Sequence, residues 1–171
     1  MEQKPTVKLS LSSADKIAEV LCLLLLICMW LFAVYCYYTS PRIIPIHFNA
    51  SAKPDNYGGK AALFLLPGIV TFLFLFLTLL NRLPAIYNYS VNITQENALP
   101  FYTNATRMVR YLKLSLIAVF WIIILSVYLA AKGVAEELQK WTLPVILVLI
   151  FLPTVYFVIK SFRVKNRKIL L

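Results

Sequence analysis

Four stretches of this chain carry no charged residue: residues 20–41, 61–81, 114–131 and 141–159, each 18–22 residues long. At a helical rise of about 1.5 Å per residue such a run spans roughly 27–33 Å, the thickness of a bilayer's hydrocarbon core. A helix pairs its own backbone amides and carbonyls, each of which would cost several kcal/mol left unpaired in lipid, so the runs read as four spanning helices. A barrel would show polar and apolar residues alternating along short strands, and that pattern is missing. With 61% apolar and 14% charged residues among 171, the composition excludes a cytosolic enzyme, a secreted disulfide domain and a disordered tail. The sequence therefore predicts an all-α polytopic integral membrane protein, a single membrane domain over residues 1–171. Its spans fall at about 18–39, 61–81, 112–131 and 141–160, with an outer loop at 40–60, a cytoplasmic loop at 82–110 and a basic tail at 160–171.

Lysine and arginine set the expected orientation. The N-terminal arm, the middle connection and the tail together carry twelve; the other two connections carry five. Both termini are therefore expected inside, N-in and C-in. The net charge of +10 then reads as a topology signal and an attraction to anionic lipid, about 1 kcal/mol for each basic residue near the surface. Nucleic acid is not an expected partner, because the tail has no aromatic interleaving beyond Phe162. The first run exceeds the 7–15 residues of a signal core and no small-residue cleavage site follows, so that helix is expected to be retained. Ser12 with Asp15 three residues on forms a capping-box pattern that starts a helix before the membrane begins. Tyr35, Tyr37, Tyr38, Tyr111 and Trp141 sit where amphipathic rings mark headgroup depth.

Chemistry is sparse inside the runs. Ion-coupled transport needs ionisable groups at depth, and the runs contain none. No catalytic residue, no metal site and no cofactor is expected. Cys22, Cys28 and Cys36 lie on one helix and read as small thiols rather than a disulfide framework. Only four glycines occur and no GxxxG pair is available, so helix association is expected to use larger side chains. Pro67, Pro144 and Pro153 are expected to kink their spans. The sequons at Asn49, Asn88, Asn92 and Asn104 are expected to be accidental, because the last three face the cytoplasm on this topology.

The outer loop concentrates what chemistry there is, including the chain's one histidine. Asn49 and Asp55 bond local backbone amides and Pro54 fixes one dihedral, so the loop is expected to be ordered. His47 can pair with Asp55 and make the loop sensitive to pH near neutrality. One His and one Asp fall short of a zinc ligand set. The candidate binding residues are His47, Asn49, Pro54, Asp55, Tyr57, Gly58 and Lys60. An ordered cap on two helix ends and a recognition surface for an extracellular peptide or lipid headgroup both fit them.

In the cytoplasmic loop, Thr94 is expected to cap an amphipathic surface helix with Glu96 in its first turn, and Pro100 to kink or restart it. Arg107 and Arg110, three apart on one face, are the candidate contacts for lipid phosphates or a cytoplasmic partner.

The pattern Pro45-x-His47-Phe48-Asn49, a short turn, then Pro54-Asp55-x-Tyr57-Gly58-Gly59-Lys60 resembles the signature of the family called domain of unknown function 1648, the N-terminal module of SdpI-type bacterial immunity proteins. The stretches NYSVNITQENA from Asn88 and ATRMVRYLK from Ala105 resemble the family as well. Ala52 stands where the family usually has glycine. The resemblance implies a non-enzymatic, multi-pass protein of the bacterial plasma membrane that senses or binds at the outer loop. Its implied partners are the lipid bilayer, an extracellular peptide or another membrane protein, and a cytoplasmic regulator. The alternative is an accessory subunit of a membrane transport complex.

Overall fold

The computed structural model describes residues 4–49, 51, 53–134 and 141–167. The turn position Ala52, the segment 135–140 and the end of the basic tail, including Lys168, lie outside the described residues. The chain is mostly helical: α1 (Ser13–Thr39), α2 (Leu65–Leu80), α3 (Ala98–Ala131) and α4 (Thr142–Arg167). Four helices are long and apolar enough to cross a membrane. Among the described residues, the segment between α1 and α2 departs from the expected all-helical chain with a hairpin of β1 (Ile43–Phe48) and β2 (Pro54–Gly59).

The capping box at Ser12 makes α1 begin before the apolar run. The Asp15 amide donates to Ser12 Oγ at 3.3 Å, and Ser12 N donates to Asp15 Oδ2 at 2.9 Å. Two first-turn helix donors are thereby satisfied. α3 is 34 residues long, about 51 Å at the α-helical rise, and so overshoots a bilayer. Its start corrects the reading of the cytoplasmic loop. Asn97 precedes the helix and ties the turn together, accepting from Thr94 N and donating to the Asn92 carbonyl, both at 2.9 Å. Pro100 consequently falls in the first turn, where its missing amide has no helical partner to lose, and the helix runs through it without a restart. Pro67 and Pro144 likewise occupy the first turns of α2 and α4; Pro153 alone of these stands inside its helix. At the far end of α3, Gly133 takes φ 71° and lets Val134 N reach the Leu129 carbonyl at 3.0 Å. A residue with a Cβ would be strained there.

α1 and α3 run parallel. Asp15 meets Arg107, the Leu25 carbonyl accepts from the Trp121 indole at 2.9 Å, and the Thr39 carbonyl accepts from Lys132 Nζ at 2.5 Å. α2 and α4 run the opposite way: Thr78 meets Lys113, Asn104 Nδ2 donates to the Phe157 carbonyl at 3.2 Å, and the Ser126 and Thr142 hydroxyls lie 3.4 Å apart. These contacts define a charged end, with Asp15, and a hairpin end, with Thr39. The buried face of α1 reads Cys22, Leu26, Met29, Ala33, Cys36, a 4-3-4-3 spacing that keeps one stripe on its neighbours. Three of the five are small, and they share the buried stripe with Leu26 and Met29. Around them pack Val70, Ile117, Ile124 and Val127.

At the charged end the N-terminal arm and the residues before α3 cover the projecting start of that helix. The Tyr102 hydroxyl donates to the Pro5 carbonyl at 3.0 Å and Lys4 Nζ to the Tyr87 carbonyl at 2.6 Å. The Tyr87 hydroxyl in turn donates to the Leu80 carbonyl at 2.9 Å, and burial pushes its phenol up to about 12.

Candidate functional site

The molecule carries polar clusters at both ends, built by different means. At the hairpin end β1 and β2 pair antiparallel, Ile43 opposite Gly59 and Ile44 opposite Gly58, with irregular register on either side of His47. Asn49 shapes the turn: its Oδ1 accepts from Ser51 N and Lys53 N, and its own amide donates to the Lys53 carbonyl at 2.9 Å. Ile44 is 1% exposed and anchors the hairpin in the core beside Leu63. The opposite character belongs to His47 and Asp55. Their Nδ1 and Oδ1 lie 2.5 Å apart with the side chains 66% and 41% exposed, a hydrogen-bonded pair presented to the surroundings.

Of the residues singled out from sequence, the structure joins His47 to Asp55 and gives several others structural work. Asn49 closes the turn. Pro54 opens β2. Gly58 leaves room for Ile46, since a Cβ there would lie 2.8 Å from Ile46 Cδ1. Tyr57 is exposed. Lys60 stands at the hairpin's foot with Nζ 4.5 Å above the Tyr37 ring, within cation–π reach.

At the charged end, two acids of α1 and three bases of α3 interleave. Asp15 takes Arg107 through Nε (3.1 and 3.2 Å) and Nη2 (3.1 Å), and Arg110 through Nη1 (3.3 Å). Glu19 takes Arg110 Nε at 2.8 Å and Lys113 Nζ at 2.5 Å. The i, i+4 spacing of the acids and i, i+3 spacing of the bases put each acid between two bases on the facing helix. Lys113, 1% exposed at its side chain, completes its shell with Thr78 Oγ1 at 2.9 Å and the Phe74 ring at 4.7 Å. Arg110 is nearly as deep, at 5%.

The structure thus places Arg107 and Arg110 against the carboxylates of α1, with Arg107 alone of the two partly exposed. Asp15, Glu19 and Lys113 were missed as members of this cluster. A signal existed: D-x-x-x-E ends where the first uncharged run begins, and R-x-x-R-x-x-K ends where the third begins. Two complementary charged helical stripes bordering two spans on the same side can face each other.

Residues 24–71 match the sequence model of a family described as domain of unknown function, DUF1648. The matched segment runs from within α1 through the hairpin into the first turns of α2, so the resemblance carried by Pro45 to Lys60 stands. The stretches from Asn88 and Ala105 lie outside it. The segment is tied across its own base: Trp30 Nε1 donates to Thr71 Oγ1 at 3.0 Å, and Trp30 stacks on Phe64 at 6.4 Å. An uncharacterized protein of Archaeoglobus fulgidus is 32% identical over 68 residues, covering 35% of this chain and 37% of that protein. The similarity thus spans little more than a third of that relative. No solved structure matches the chain.

Proposed function

We propose that this is a non-enzymatic, multi-pass protein of the bacterial plasma membrane that binds an extracellular peptide or headgroup at its hairpin, in the manner of SdpI-type immunity and signalling proteins. The observation that carries the reading is the exposed His47–Asp55 pair. It sits on a hairpin whose other face is anchored in the core through Ile44, a polar pair held in a fixed place with its ring and carboxylate accessible. The lysine and arginine bias supports a charged end in the cytoplasm and a hairpin outside. Coupling would run along α1. The hairpin leaves its C-terminus at Thr39, and Asp15 and Glu19 lie near its N-terminus, about 36 and 30 Å from Thr39 at 1.5 Å per residue. A shift of α1 against α3 would re-pair acids and bases at the charged end, where a cytoplasmic regulator would read the change.

The test replaces His47, Asp55 and Lys60 together with Ala and scores membrane abundance separately from the phenotype of a strain relying on the variant. Normal abundance with the phenotype of a deletion is the expected result. Wild-type behaviour at normal abundance would remove the recognition role, and lost abundance would make the hairpin a cap. Hydrogen exchange over residues 98–113 tests the coupling, which requires that region to respond in the same variant.

One observation favours the accessory-subunit alternative. α4 is the span least covered by the rest of the protein, leaving an apolar flank for a larger complex. Purification in mild detergent distinguishes the two: a defined hetero-complex supports the subunit, a lone monomer or homodimer the sensor.

A further inference from the structure

Beyond the hairpin, the charged end holds a second arrangement that the ion pairs do not use up. Arg107 and Lys160 together line two neighbouring cavities between α3 and α4. The larger, about 600 Å³, is also bordered by Ser12 and Asp15 at the start of α1 and continues past Tyr111 to Tyr156, Pro153 and Leu152. The smaller, about 320 Å³, is bounded by Pro100, Thr103 and Asn104. The larger cavity is therefore aromatic and aliphatic apart from Ser12 and Asp15, whose carboxylate is already held by Arg107 and Arg110, the smaller offers a hydroxyl and an amide, and the two cations line both.

Asp15 occupies Nε and Nη2 of Arg107, whereas Nη1 has no carboxylate partner among the described residues, and neither has Lys160. The ladder itself has three bases to two acids, so this end keeps positive charge. Lys160 Nζ lies 5.8 and 5.9 Å from the Tyr156 and Phe157 rings. A third observation is independent of the cations. Asn104, 6% exposed, donates through Nδ2 to Phe157, but its Oδ1 is buried without a partner among the described residues. A buried acceptor left alone is costly, and Asn104 is one of the residues that line the smaller cavity.

We infer that this groove binds one anionic phospholipid, its phosphate between Arg107 and Lys160, its glycerol headgroup in the smaller cavity at Asn104 and an acyl chain along Leu152, Pro153 and Tyr156. Lys160 and Leu152 are eight residues apart on α4, about 12 Å at the helical rise, which suits a phosphate and the upper part of a chain. Phosphatidylglycerol supplies both the charge and the hydroxyl donors. The leaflet is the one facing the charged end, whichever way the protein lies in the membrane, so the site stands or falls apart from the hairpin reading.

Native mass spectrometry of the full chain in detergent, with equimolar phosphatidylglycerol and phosphatidylcholine, tests this. One phosphatidylglycerol should be retained in preference to phosphatidylcholine. Lys160→Gln, which breaks no ion pair, should lower that retention about fivefold, the effect of one basic residue on anionic lipid. Arg163→Gln, one turn along α4 and outside both cavities, should leave it unchanged. Equal retention of the two lipids, or equal loss from both variants, would overturn the site. Displacement by glycerol phosphate at a concentration no higher than that of the lipid would overturn the lipid as occupant and leave a free phosphate ester in its place.

Discussion

The charged end and the hairpin end of α1 both join a histidine, lysine or arginine to a carboxylate, yet they do so in opposite surroundings. Arg110 and Lys113 are withdrawn almost wholly from solvent and rely on Asp15, Glu19 and Thr78. His47 and Asp55 stand in the open and their pairing costs and returns little. The contrast separates structural polarity from available polarity. A charge that is buried and paired cannot be lent to a ligand without unfolding its neighbourhood, whereas an exposed pair on an anchored support can.

The largest expected effect follows at the buried end. Glu19→Ala leaves Lys113 buried without its acid, and stability should fall by about 3–5 kcal/mol, read as lost membrane abundance and a lower detergent melting temperature. Adding Lys113→Met should restore part of it, because Lys113 no longer leaves a buried charge unpaired while Arg110 keeps Asp15 but still loses Glu19. If the single variant melts like wild type, the ladder is not structural and the comparison fails. Next comes the hairpin's anchor. Ile44→Ala empties a fully buried site and should cost about 2–4 kcal/mol, with the loss concentrated in the hairpin. Protease cleavage within residues 43–59 should rise while the helices stay protected.

How much of this could be read beforehand depends on distance along the chain. The four helices were legible because an apolar run declares itself locally. The hairpin was legible as ordered but not as strands, since Pro45 argues against a strand interior and two adjacent glycines weaken one. Docking of Ile44 into the helical core outweighs both. From sequence Asp15 reads as a cap and Arg107 and Arg110 as contacts for lipid or a partner, because the ladder's partners are 91–95 residues apart and no local pattern matches them. Pro100 misled for a smaller reason. With the helix start placed at Thr94 it fell inside, and a start at Ala98 puts it in the first turn. The His47–Asp55 pair, eight residues apart across a turn, was within reach of local reasoning, and the structure has it.

Smaller effects sharpen the contrast at the hairpin end. Gly58→Ala would bring a Cβ to 2.8 Å from Ile46 Cδ1, but that atom ends a flexible and exposed side chain that can turn away. The cost should be about 1 kcal/mol or less, and Ile46→Ala should relieve it, both read by thermal unfolding in detergent. A cost like that of Ile44→Ala would mean the strands leave no slack and the hairpin is a rigid cap.

The smallest change in stability is expected where the functional change is expected to be greatest. His47→Ala and Asp55→Ala should each alter the melting temperature by no more than an exposed ion pair allows, about 0–1 kcal/mol, and abundance should match wild type. The double variant should add nothing, because either substitution already removes the contact. Compare Glu19→Ala, where removing one partner is costly because the other stays buried. If His47→Ala destabilises as strongly as Glu19→Ala, the hairpin pair is structural after all and the two ends of α1 differ only in exposure. If it leaves stability intact and abolishes the phenotype, the pair is the surface through which the protein meets what lies outside the bilayer.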